Sequence, residues 1–320
     1  MYKTAFKQTL SFVWRNKTLW ILGIFASFLG TAEETELLRK ITNTSSTQFF
    51  YNSLEQLWAT NLFTKLGMQN VWHFIISQPL LFLQILAVIS LIFSFVFLLT
   101  WLSLISQGAI VYAASHPELP LKNTSLLRYG IKTFWPICFL NIIAKILLGA
   151  LFIAILYSFS LTIWIALPAI GILILFSLLL SAITKLSLLG IVIEKNGLFT
   201  AIKKAIILFK KNFFEVGGLT IALLLLTTVV MLLGVAAGII ILIPFVPIME
   251  ANIILKFSFG FTFAILLYVA SATILVLLIF GFLSTISLAS WAMLFPHLKN
   301  NMPSNTTSIR ILKGRKFDFK

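Results

Sequence analysis

Apolar residues run along this chain in six long, charge-poor stretches, at about 18–30, 79–114, 134–157, 161–193, 214–245 and 257–296. A lipid-spanning helix needs about 20 mainly apolar residues. The pattern therefore predicts six transmembrane helices. The first is short, and the second and sixth are long enough to tilt or to run on past the bilayer. A strand reading fails, because the runs are too long and lack period-two alternation. The third and fourth stretches are hard to separate. The turn lies either at Ser158-Phe159-Ser160 or later, where Pro168 opens a helix.

Between these stretches the pattern changes character. Segment 31–78 reads as amphipathic helices, "TELLRKI", "QFFYNSLEQLWATNLF" and "VWHFIIS". Phe49, Phe50, Leu54, Trp58 and Phe63 give it an apolar face suited to the outer interface. Residues 1–296 thus form one membrane domain, and 297–320 a polar, basic tail expected to be disordered or surface-bound.

Basic residues set the orientation, since they collect on the cytoplasmic side. With the N-terminus inside, nineteen of the 24 Lys and Arg fall in cytoplasmic regions: 3–17, 122–132, 185–211 and 299–320. Only Arg39, Lys40, Lys65 and Lys256 fall outside, and Lys145 lies within a span. Both termini are therefore expected inside a bacterial cytoplasmic (inner) membrane. The N-terminal basic residues and short apolar core, ending at Gly30-Thr31-Ala32, also admit a signal peptide. A retained helix is preferred, because the same unit recurs later in the chain. Of the three Asn-x-Ser/Thr sequons, only the one at Asn43 would face outside, so they are read as chance.

Composition agrees. The chain is 60% hydrophobic and only 10% charged, with a mean hydropathy of +1.04. Soluble proteins carry about 25% charged residues. The net charge of +15 would suggest nucleic acid in a soluble protein. Here it is topological, and no nucleic-acid partner is implied. The single cysteine, Cys138, sits in an apolar run and behaves as a small hydrophobe.

One unit repeats. "AFKQTLSFVWRN" (5–16) matches "AIKKAIILFKKN" (201–212), pairing Ala5 with Ala201, Lys7 with Lys203, Arg15 with Lys211 and Asn16 with Asn212. A weaker third copy, "SLLRYGIKTFWP", covers 125–136. On a helix of about 100° per residue, Lys203, Lys204, Lys210 and Lys211 share one arc of about 120°. Ile202, Ile206, Phe209 and Phe213 lie opposite, although Ile207 spoils the polar arc. Such a helix lies in the headgroup plane with its Phe and Ile inserted into lipid and its lysines toward anionic headgroups, at about 1 kcal/mol each. Lys203, Lys204, Lys210, Lys211, Lys7 and Arg15 are thus candidate headgroup ligands. The plainer alternative is that they are topology signals only.

The stretch "LGIVIEKNGLFTAIKKAIILFKKNFF", through Glu194, Gly197, Ala201 and Asn212, resembles the multi-span membrane domain attached to some bacterial glycerophosphodiester phosphodiesterases, and related stand-alone membrane proteins. In those enzymes a soluble barrel does the chemistry, and this chain has no such barrel. The resemblance implies a membrane module without the phosphodiesterase activity.

The missing chemistry points the same way. The one aspartate is Asp318, and the three histidines, His73, His116 and His297, lie outside the span cores. No intramembrane aspartyl dyad, His metal pair or Ser/His dyad can form, and there is no P-loop. No enzyme, metal or cofactor is expected. Coupled transport needs acids in the membrane, and Glu194 and Glu215 lie only at its boundary. Serines in the second and sixth spans, among them Ser103, Ser106, Ser284 and Ser287, are expected to pack helices. Lys145 is the one charge expected deep in a span, turned inward toward Asn141 or Glu215. The expectation is an all-α integral membrane protein that is non-catalytic and binds lipid or a membrane protein partner. The alternative is a permease or passive transport component.

Overall fold

The computed structural model describes residues 2–28, 65–118, 123–159, 163–254 and 258–300. These form eleven helices: α1 (Tyr2–Arg15), α2 (Thr18–Ser27), α3 (Lys65–Ser77), α4 (Pro79–Ser115), α5 (Asn123–Lys132), α6 (Phe134–Phe159), α7 (Ile163–Val192), α8 (Leu198–Lys211), α9 (Phe213–Leu242), α10 (Phe245–Ile254) and α11 (Ser258–Asn300). No strand occurs among the described residues.

Five segments are long and apolar enough to cross a membrane: Pro79–Ser115, Phe134–Leu151, Ile174–Val192, Phe213–Ile248 and Gly260–Lys299. The first apolar stretch appears as the ten-residue α2, with 29–64 outside the described residues. Of the expected amphipathic pieces only "VWHFIIS" is described, inside α3. The break between the third and fourth stretches falls between Phe159 and Ile163. Pro168 does not open a helix but lies inside α7. Likewise α11 runs through Pro296 to Asn300, past the expected end at 296. A helix tolerates proline once neighbouring groups satisfy the freed backbone.

The helices form three units, each a surface helix followed by two apolar ones, of which α2 is short. These are α1–α2–α4, α5–α6–α7 and α8–α9–α11. In every unit the second and third helices pack on each other, as α2–α4, α6–α7 and α9–α11. The surface helix packs on the last helix of the unit before it: α5 on α4, α8 on α7, and α1 on α11. The ring is thereby closed between the two ends of the chain. The three last helices, α4, α7 and α11, also touch one another.

A short repeat that we did not expect underlies this order. Leu102-Ser103-Leu104-Ile105-Ser106, Leu180-Ser181-Ala182-Ile183-Thr184 and Leu283-Ser284-Thr285-Ile286-Ser287 share the form Leu-Ser-x-Ile-Ser/Thr. Their second residues are all buried, at 0%, 1% and 2% exposure. Small hydroxyl residues let helices approach and bond across, as Ser103 Oγ does to Ala26 O (3.2 Å) and Thr285 Oγ1 to Leu19 O (3.0 Å). Both residues thus bond between helices, the packing role expected of Ser103. Gly23 and Gly281 take the approach of α2 and α11 to its limit. A Cβ on Gly281 would lie 2.6 Å from Trp20 O.

The packed core sits at one end of the bundle. It takes in residues 103–114 of α4, 137–144 of α6, 182–192 of α7 and 283–298 of α11. The far halves of the long helices expose Leu91, Phe93, Leu232, Leu233, Leu266 and many like them. Patches of this extent are foreign to soluble monomers and suit hydrocarbon.

Each surface helix meets the next helix at an elbow built the same way. The last carbonyls of a helix lack partners, and the elbow side chain supplies a donor. Asn16 Nδ2 donates to Phe12 O (2.9 Å), Thr133 Oγ1 to Tyr129 O (3.2 Å) and Asn212 Nδ2 to Leu208 O (3.2 Å). The third copy of the unit is therefore in a different register from the one expected. Thr133, not Pro136, stands where Asn16 and Asn212 do.

Candidate functional site

The surface helices and elbows gather at the end where α4, α7 and α11 finish. In α8 the sequence puts Ala201, Ala205 and Leu208 on one stripe, and all three are buried. Ala201 lies against Gly190 of α7, where an added Cβ on the glycine would be 3.5 Å from Ala201 Cβ. Small residues on both helices permit that closeness. The expected insertion of Ile202, Ile206, Phe209 and Phe213 into lipid is thus corrected in part. Ile202 and Phe209 pack on the protein core, while Ile206, Ile207 and Phe213 remain exposed. The stripe misled because Ala201 and Ala205 carry little hydrophobic weight, yet they decide which face a neighbouring helix can reach.

Lys203, Lys204, Lys210 and Lys211 are all exposed, as are Lys7 and Arg15 on α1. Lys204 is not a free headgroup ligand. Its ammonium reaches Glu194 Oε2 at 3.1 Å and Asn196 Oδ1 at 3.1 Å. Glu194 sits in the turn from α7 to α8, where Lys195 takes a left-handed φ of 53°. Asn196 Nδ2 donates to Glu194 Oε2 (2.6 Å), and Lys299 Nζ, at the end of α11, lies 2.7 Å from Oε1. One carboxylate thereby ties α7, α8 and α11 together. Burial pushes the Glu194 carboxyl up. The hydrogen bonds from Lys299, Asn196 and Lys204, with the Lys299 charge, outweigh that and hold it below its usual value. Nearby, Asn212 Nδ2 also donates to Leu298 O (3.2 Å), a second clasp on α11.

A cavity of about 750 Å³ opens between α1, the end of α4 and the end of α11. Gln8, Ser11, Arg15, Asn16 and Ser115 supply its polar wall, and Phe12 and Met293 part of its apolar one. On another face of α1, Trp14, 59% exposed, stands edge-on to Trp20 and Phe282.

Deeper in the bundle lies a polar seam. Ser177, Ser181 and Lys185 follow one another at four-residue spacing on α7 and are buried. Lys185 Nζ lies 5.9 Å from the centre of the Trp291 ring on α11. The Oγ atoms of Ser181, Ser287 and Ser290, Trp291 Nε1 and Gln107 Nε2 are buried without a protein hydrogen-bond partner. Lys185, read from sequence as a cytoplasmic-loop residue, is in fact 5% exposed inside α7. The signal was present: in the shared Leu-Ser-x-Ile-Ser/Thr frame, Gln107 and Lys185 each follow the first serine by four residues.

Lys145 needs the opposite correction. It is exposed on α6 and not turned inward. Ile137, Leu140 and Ala144 form the buried stripe of that helix, and Lys145 stands roughly 100° round from Ala144. Asn141, closer to the stripe, donates to Gln107 Oε1 (3.5 Å) and Ile137 O (2.9 Å). Glu215 is half-buried in the first turn of α9, where an acid favours the helix dipole. Among the described residues, no group of three or more His, Cys, Asp or Glu is arranged to hold a metal ion.

These features define an all-helical protein of membrane type, with its polar and charged groups concentrated at one end. Comparison with protein-family models, with curated proteins and with solved structures finds no match.

Proposed function

We propose that this chain is a non-catalytic module of the bacterial cytoplasmic membrane that binds anionic lipid at its cytoplasmic face. In this reading α2 completes a sixth span, both termini lie inside, 31–78 lies outside, and α1, α5 and α8 rest at the inner interface. One observation carries it. Lys7, Arg15, Lys203, Lys210 and Lys211 are exposed at the single end where the surface helices gather and the long helices pack. Basic side chains held there meet anionic headgroups at about 1 kcal/mol each. The likeness of the Glu194–Asn212 stretch to a phosphodiesterase membrane domain supports a membrane module.

The test is native mass spectrometry of the protein purified with its lipids. Replacing Lys203, Lys210 and Lys211 by Gln should reduce co-purified phosphatidylglycerol. Unchanged lipid would leave the lysines as topology signals. A cysteine at position 60, in a Cys138→Ser background, should label from outside intact cells. Labelling only after permeabilisation would sink the orientation.

A second reading, a passive transport component, is favoured by the buried Lys185 and the unpartnered groups around Trp291. A charge inside a bundle commonly marks a pathway. Solute flux into vesicles that is abolished by Lys185→Met would support it over the first reading.

A further inference from the structure

We propose that the cavity between α1, α4 and α11 is the seat of one tightly held anionic lipid, whose phosphate is gripped by Arg15. This rests on the lipid-binding reading above and names its site.

The first ground is the asymmetry of the ring. Three junctions join a surface helix to the last helix of the unit before it, and two are closed. At α4–α5, Tyr112 and Tyr129 stack with ring centres 3.8 Å apart, and Gly130 presses on Ile105. At α7–α8, Gly190 meets Ala201. The α11–α1 junction opens into a cavity of about 750 Å³. Ligand pockets span about 300–1,000 Å³, so the volume suits a glycerophosphate headgroup.

The second ground is the chemistry of the wall. Among the described residues no carboxylate pairs with Arg15. Its guanidinium offers five donors in a fork that fits a phosphate in two-point fashion. Gln8, Ser11 and Ser115 add neutral groups for the glycerol end, and Phe12 and Met293 face the same space. That combination selects a phosphate ester with an apolar continuation.

The third ground distinguishes a lipid from a soluble phosphate. Trp14 and Leu10, on α1 but on another face from the cavity-lining residues, are 59% and 40% exposed. Tryptophan in such a position marks the membrane–water interface. A phosphate on Arg15 would therefore sit at headgroup level.

The full-length protein is titrated in nanodiscs with phosphatidylglycerol against a phosphatidylcholine background, and bound lipid is read by native mass spectrometry. The wild type should retain one phosphatidylglycerol at high collision energy. Arg15→Gln and the cavity-filling Ser11→Phe, both at exposed positions, should each weaken that lipid by about tenfold or more. Lys203→Gln/Lys210→Gln/Lys211→Gln should keep the tight lipid while losing weaker ones. If both cavity variants hold phosphatidylglycerol as tightly as wild type, the site is wrong, although a general preference for anionic lipid can stand. If the wild type shows no preference over phosphatidylcholine, the lipid-binding reading fails with it. Displacement of the tight lipid by millimolar inorganic phosphate would overturn the lipid as occupant and make the cavity a soluble-anion site.

Discussion

Glu194 gives the sharpest test of how this end of the bundle is held. Its carboxylate takes hydrogen bonds from Lys299, Asn196 and Lys204 at 2.7, 2.6 and 3.1 Å. Bonds to a charged group contribute about 1.5–3 kcal/mol each when fully shielded. Both lysine side chains here are about half exposed, at 51% and 49%, and exposed pairs yield only about 0.2–1 kcal/mol. Glu194→Gln keeps an acceptor for one donor and loses the charge. The expected cost is about 1–2 kcal/mol, a downward shift of roughly 2–6 °C in thermal midpoint.

The sign of the pH dependence follows from the depressed carboxyl. Its stabilisation is fully present above the unfolded value of about 4.5. It fades as pH falls through the lower, folded value. Other carboxylates titrate in the same range, so the quantity to follow is the gap between wild type and Glu194→Gln, by thermal unfolding in detergent. The gap should be constant from pH 7 to about 5.5 and close below about 4.5. No gap at pH 7, or one that persists unchanged at pH 3.5, would refute the electrostatic account. Lys299→Met should couple to Glu194→Gln, the double variant losing less than the sum.

Gly281→Val should cost about 1–3 kcal/mol, because its Cβ would meet Trp20 O and Ile24 Cγ1 at 2.6 Å. Gly217→Ala, with nothing within 4 Å, should be neutral or stabilising by up to about 1 kcal/mol; equal effects in thermal unfolding would contradict the close-approach argument. Asn212→Ala should destabilise more than Asn16→Ala, since only Asn212 also bonds across to Leu298 O; the reverse order would show that the second bond contributes nothing. Lys145→Met should change stability by less than about 0.5 kcal/mol, and a larger loss would restore an interior role for that lysine.

Local rules written in the chain settled much of this protein. Apolar runs longer than about 18 residues have few outcomes other than a membrane helix, so five long helices were legible from 79 onward. The extent of α8, 198 to 211, was legible as well, because Gly197 and Asn212 bracket a basic amphipathic pattern. Hydropathy has no information on rotation about the axis once a helix is apolar all round. For that reason Lys145 and Lys185 exchanged places between surface and core. Which lysine is buried depends on where neighbouring helices pass, and small residues such as Gly190, Ala201, Gly23 and Gly281 set those paths. The Glu194 clasp joins residues a hundred positions apart, and the Arg15 cavity exists because one of three related junctions packs less closely than the others. Both arise from the order in which helices meet, and only the assembled bundle decides that order.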